Sequence, residues 1–151
     1  MPRRTALGKV MSLVVTEQTT ELILPSRVES VAEAAAAAAK VMSSAGFGEE
    51  NAFGVDMAVR EAVTNAVLHG NRQDETKSVE LAFTVSPVAL EITVRDHGLG
   101  FDPESVPDPT DQQNVMKTSG RGIFFMRTFM DEVSLSRHPE GGTVVRMTKK
   151  R

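Results

Sequence analysis

Arg60-Glu61-Ala62-Val63-Thr64-Asn65-Ala66-Val67-Leu68-His69-Gly70 is the stretch on which the reading of this chain turns. At about 3.6 residues per turn, Glu61, Asn65 and His69 fall on one stripe of a helix. Val55, Val59, Ala62, Val63, Ala66 and Val67 form a broad apolar arc beside it. A helix with one buried side normally turns its polar residues to solvent. Here a carboxylate, a carboxamide and an imidazole border the buried arc instead. Alone, such a stripe reads more simply as a solvated edge. Two further clusters, Asp96-His97-Gly98-Leu99-Gly100 and Gly120-Arg121-Gly122, turn the reading toward a nucleotide site.

Working outward, the helix that carries the stripe is expected to begin near Glu49 and to end at Gly70. Before it, Pro25 ends a short aliphatic strand, residues 21–24, and residues 10–15 suggest another strand. Ser26 and Glu29 match a capping box, with the hydroxyl reaching forward and the carboxylate back. They would open a helix through the alanine run 34–39 to about Ala45, with Gly46 as its stop. The small side chains of that run would let it pack closely on a neighbour.

After the stripe, residues 71–77 are polar and read as a loop. Residues 79–85 and 89–94 alternate around Ser86-Pro87, which predicts an antiparallel hairpin whose second strand runs into Asp96. Residues 103–119, rich in proline and acidic side chains, read as a long loop of the kind that serves as a lid. Residues 122–130 have helical spacing, and residues 133–136 and 143–148 read as a closing pair of strands. Strands neighbouring along the chain, with helices between the pairs, predict an α+β fold. The expected architecture is a two-layer α/β sandwich, a mainly antiparallel sheet covered on one face by three helices.

A chain of 151 residues suits one domain with one core. With a net charge of −3 and 25% charged residues, nothing is basic enough to suggest nucleic acid. The absence of cysteine removes disulfides and thiolate metal sites, and three scattered histidines argue against a zinc centre. Residues 10–15 are too short an apolar run for a signal core or a membrane span, so a cytoplasmic protein is expected.

The clusters have their own chemistry. Asp96 stands at the end of a predicted strand, where its carboxylate can accept a hydrogen bond from an exocyclic amine such as adenine's. Gly98 and Gly100 would let the backbone approach a ligand without a Cβ in the way. Asp and Gly are also ordinary turn formers. Gly120-Arg121-Gly122 opens a helix, where free N–H groups and the positive dipole end favour phosphate. The pattern is neither a Walker loop nor a dinucleotide fingerprint.

Glu61-x-x-x-Asn65-x-x-x-His69-Gly70, Asp96-x-Gly98-x-Gly100 and Gly120-x-Gly122, with Gly142-Thr143 near the end, resemble the N, G1 and G2 boxes of the GHKL (Bergerat-fold) ATPases. The segment 119–126, Ser-Gly-Arg-Gly-Ile-Phe-Phe-Met, is most similar to the bacterial anti-sigma-factor serine/threonine kinases of that superfamily. The resemblance covers roughly residues 20–149. It implies ATP and Mg²⁺ as ligands, with Asn65 holding the metal through its side-chain oxygen. Asp96 would bind the adenine amine, with Thr143 supporting it directly or through water. Gly98 and Gly100 would let the chain wrap the nucleotide, and Gly120 and Gly122 would let the lid close over its phosphates. Glu61 would be the general base toward an attacking hydroxyl. Arg121 reads equally as a phosphate contact or a solvated lid residue, and His69 as a structural group at the helix end.

Three functions stay in play. In the first, an ATP-dependent protein kinase doubles as an anti-sigma factor and phosphorylates a serine or threonine of an anti-anti-sigma antagonist. The implied partners are a sigma factor and that antagonist, and the resemblance implies a homodimer. In the second, the chain is a nucleotide-gated protein-binding regulator that transfers nothing; Glu61 favours the first, because a pure binder needs Asn65 and Asp96 but no base. The third, the catalytic domain of a histidine kinase, would be expected to follow a dimerisation helix with a phosphoacceptor histidine, and none precedes it here.

Overall fold

The computed structural model describes residues 17–98 and 118–151. The chain runs β1 (Gln18–Pro25), α1 (Glu29–Ser44), α2 (Glu49–Asn65), β2 (Ser78–Val85), β3 (Ala89–Arg95), α3 (Thr118–Phe129), β4 (Glu132–Arg137) and β5 (Thr143–Lys150). The strands form one sheet in the order β1-β2-β3-β5-β4. Every neighbouring pair is antiparallel. The expected α+β sandwich is therefore what forms. The expected strand at residues 10–15 and most of the expected lid, 103–117, lie outside the described residues.

Alternation places the core. On β2, Val79, Leu81 and Phe83 are buried while Glu80, Ala82 and Thr84 are not, and β3 buries Leu90, Ile92 and Val94 in the same way. Against that face lie Ala34, Ala38 and Met42 of α1, Val55, Val59 and Val63 of α2, and Ile123 and Met126 of α3. The alanines of α1 do what their size suggested: Ala34, Ala35 and Ala38 are almost wholly buried where α1 packs on α2 and the sheet. Among the described residues no helix is long and apolar enough to cross a membrane.

Helix ends separate the expectations that hold from those that do not. Gly46 stops α1 as expected: it adopts φ +81°, its N–H donates to Ser43 O (3.2 Å), and Phe47 N–H donates to Met42 O (3.0 Å). That pair of bonds is a Schellman closure. The capping box at Ser26 and Glu29 is not formed. The N-cap residue is Val28, with no side-chain cap. Ser26 is buried and donates instead to Lys77 O (2.7 Å), a bond to the start of β2 that local pattern does not encode. The third helix starts earlier than expected, at Thr118, so Gly120 and Gly122 sit inside its first turns.

The stripe helix reaches Gly70, but its last turn, Ala66–Gly70, is π-helical. Asn71 N–H donates to Ala66 O (2.8 Å), and Gln73 N–H to Val67 O (2.7 Å). Arg72 and Gln73 follow with φ of 52° and 58°. Such left-handed non-glycine residues are uncommon, and π turns gather at functional sites. Beyond them the loop closes on Asp74, whose carboxyl is held below its ordinary value by the hydroxyl and then the N–H of Thr76.

Candidate functional site

Three elements converge where α2 ends, β3 ends and β5 begins. A cavity of about 90 Å³ lies there, bordered on its polar side by Asn65, His69, Asp96 and Thr143. Its apolar wall comes from both layers: Ala62 of α2 and Ala66 of the π-helical turn, Val94 and Val145 of the sheet, Ile123 and Met126 of α3. An apolar slot with a few convergent polar groups is how small-molecule sites are generally built.

Asp96 is 6% exposed and tightly held. Its N–H donates to Thr143 O (3.0 Å), and its Oδ1 accepts from Thr143 N–H (3.1 Å) and Gly98 N–H (3.0 Å). The carboxylate is thus oriented by backbone donors from two segments, and its Oδ2 lies beside Gly70. Gly98 packs against the Gly70 carbonyl so closely that a Cβ would overlap it. Backbone atoms cannot swing aside as a side-chain tip can. Gly98→Ala is therefore expected to lower stability by about 2–3 kcal/mol, read from denaturant unfolding. A loss below about 0.5 kcal/mol, the ordinary range of surface changes, would show that this junction yields.

Two buried side-chain oxygens have no hydrogen-bond partner among the described residues: Asn65 Oδ1 and Thr143 Oγ1. Both residues line the same cavity. A buried acceptor left unpaired costs about 1–3 kcal/mol, which a ligand would relieve. These are the groups to which the resemblance assigned the metal and the nucleotide, so the residues present fit Mg²⁺ and ATP. Among the described residues no three His, Cys, Asp or Glu gather as a metal cage. A single amide oxygen suits Mg²⁺, which takes few protein ligands and completes its shell with phosphates and water.

Glu61, one turn before Asn65, faces a second, adjoining pocket of about 240 Å³ with Arg121, Gly122 and Phe125. Gly122 lies against Asn65, which lines the first pocket, and Glu61, which lines the second. A Cβ there would overlap Asn65 Nδ2 and come within 2.8 Å of Glu61 Oε2, so its absence lets α3 lie directly on the polar stripe. Arg121 is exposed beside Glu61. His69 is exposed and borders the first pocket. Gly100 lies outside the described residues, and Gly120 is placed in the first turn of α3.

Sequence reading missed Asn71, which it left in a polar loop. Asn71 is 1% exposed. Its Nδ2 donates to Ser26 Oγ (2.6 Å) and Ser78 O (2.9 Å), and its Oδ1 accepts from His97 N–H (2.7 Å). The only available signal was its position after His69-Gly70. The His97 ring in turn meets the Glu80 carboxylate, with Arg95 Nη1 3.9 Å from the same oxygen.

A family model described as the histidine kinase-like ATPase domain matches residues 24–149. The chain is 37% identical over 97 residues to the anti-sigma F factor of Bacillus subtilis (strain 168), covering 63% of this chain and 66% of that protein, just under two thirds of its length. It is 33% identical over 134 residues to the serine-protein kinase RsbW of Listeria monocytogenes serovar 1/2a, covering 85% of this chain and 84% of that one. The crystal structure of the RsbU and RsbW domains of a Mycobacterium tuberculosis protein matches with a TM-score of 0.65 at 17% identity, over 89% of this chain and 33% of that chain. That last likeness is one of fold.

Proposed function

The chain belongs to the histidine kinase-like ATPase (GHKL) family, alongside anti-sigma F factors and RsbW serine-protein kinases, and from that premise we propose that it is an ATP-dependent serine/threonine protein kinase that also acts as an anti-sigma factor. Its protein substrate in this reading is an anti-anti-sigma antagonist, its other partner a sigma factor, and its assembly a homodimer. The observation that carries the reading is the pair of oxygens, Asn65 Oδ1 and Thr143 Oγ1, that lack a partner among the described residues and line one cavity, with Glu61 a helical turn away.

ATP is the phosphoryl donor. The base enters the apolar slot with its amine toward Asp96, and Thr143 Oγ1 gains a partner directly or through water. Asn65 Oδ1 would hold Mg²⁺, which when bound neutralises charge on the phosphate oxygens. The N-terminal end of α3, the positive end of its dipole, would face those phosphates. Glu61 takes the proton from the incoming serine or threonine hydroxyl. The hydroxyl oxygen bonds to the γ-phosphorus, the bond from that phosphorus to the ADP oxygen breaks, and ADP leaves. Arg121, which lines the same pocket as Glu61, would meet negative charge there.

A protein acceptor suits the surroundings of Glu61. Phe125 lines its pocket and stays 38% exposed, and Phe53 is 60% exposed. Both stack edge-on against Phe129, at 5.1 and 6.0 Å between ring centroids. Aromatic side chains are enriched in the buried cores of protein–protein interfaces.

The test is to capture partners with the purified protein and incubate them with γ-labelled ATP and Mg²⁺. Label on a captured protein, lost on treatment that removes phosphoserine and phosphothreonine, supports the kinase. Nucleotide-dependent capture with no label on any partner would overturn it in favour of the nucleotide-gated regulator.

A further inference from the structure

We propose that Asn71 is a positioning residue for base selection, holding the Asp96–Gly98 turn so that the Asp96 carboxylate meets adenine; this rests on the reading that Asp96 accepts the adenine amine. Asn71 does not border the nucleotide cavity. It is one residue beyond the π-helical turn that ends the stripe helix, and it joins three segments that are distant in sequence. Nδ2 reaches Ser26 at the β1–α1 junction and Ser78 at the start of β2, while Oδ1 receives the N–H of His97, the residue after Asp96. The amide orientation is fixed by its partners: the Ser78 carbonyl demands a donor and the His97 N–H demands an acceptor.

The turn is thereby held from both sides. Thr143 fixes Asp96 from β5, and Asn71 fixes His97 from the end of α2. The His97 side chain is tied to Glu80 on β2. The backbone geometry that presents Asn71 is itself unusual, a π turn followed by left-handed Arg72 and Gln73. Backbone of this kind persists where surrounding contacts over-determine it. Without the Asn71 amide, His97 N–H loses its acceptor and the turn gains freedom where the carboxylate must point. A carboxylate aimed at the purine edge accepts from adenine's amine and repels guanine's carbonyl at the same place. Loss of aim should therefore weaken ATP and narrow its advantage over GTP.

Affinities of the folded protein for fluorescent ATP and GTP analogues are to be measured beside unfolding midpoints and the exchange rate of the His97 amide by NMR. Asn71→Ala is expected to weaken ATP about tenfold, to leave GTP nearly unchanged, and to speed His97 exchange. Ser26→Ala removes one partner of Nδ2 and leaves the His97 bond, so it should lower the midpoint while keeping the wild-type ATP/GTP ratio. If Asn71→Ala does not fold, Asn71→Ser fills part of the space but cannot span all three partners, and the same narrowing is expected. A folded Asn71 variant with a lower midpoint and the wild-type ATP/GTP ratio would overturn the proposal. The underlying reading fails separately: Asp96→Asn would then leave the ratio unchanged in an otherwise wild-type chain.

Discussion

Glu61→Gln is expected to slow phosphoryl transfer to the protein substrate by about 10²–10⁴-fold, the usual contribution of a positioned general base. That corresponds to roughly 3–5 kcal/mol of barrier. Binding of Mg²⁺-ATP should stay within a few-fold of wild type, because Asn65, Asp96 and Thr143 are untouched. The structure makes the separation clean: Glu61 borders the Arg121–Phe125 pocket, while those three residues border the other. Glutamine keeps the size of the side chain against Gly122, where the fit is close. Single-turnover transfer at saturating ATP is the measurement. An unchanged rate would remove Glu61 as the base. Loss of ATP affinity along with rate would mean that the substitution disturbs Asn65 through their shared contact with Gly122.

Asp96→Asn should weaken ATP binding some tens-fold to a hundred-fold, for a loss of about 2–3 kcal/mol. The two N–H groups of Gly98 and Thr143 fix which end of the new amide faces them. Its oxygen must stay where Oδ1 is, so its NH₂ takes the place of Oδ2 and presents a donor to adenine's own donor. The reverse orientation leaves two backbone N–H groups facing an amide nitrogen. Calorimetric titration with ATP reads the loss, and the unfolding midpoint controls for it. Wild-type affinity in a folded variant would take Asp96 out of the site.

Much of the fold was legible because its signals are local. Alternation over residues 79–85 and 89–94 with Ser86-Pro87 between them gave the β2–β3 hairpin, and the observed register pairs those strands residue for residue. Gly46 had only one sensible role after an alanine-rich helix, and it has that role. The polar stripe of α2 was readable because helical period alone aligns Glu61, Asn65 and His69, whatever packs against them.

Where the chain's meaning depends on residues far apart, the sequence was silent or misleading. Ser26 looked like a cap because capping is a local pattern, yet it bonds across 51 positions to Lys77. A buried hydroxyl takes the partner that tertiary packing brings to it. Asn71 looked like loop because polarity without period reads as loop, but the meeting of β1, β2 and the Asp96 turn leaves it 1% exposed with three partners.

The sequence by itself determined the α+β layering, the residues of the polar stripe and the strand-end position of Asp96, since each follows from period and turn chemistry within a short segment. Only the tertiary structure decided that Asn65 Oδ1 and Thr143 Oγ1 share one cavity and that neither has a partner among the described residues. It also decided that Glu61 faces a separate pocket under Gly122. The reason is that hydrogen-bond satisfaction is a property of three-dimensional neighbours. A sequence states which groups need partners, and packing settles which of them are left for a ligand.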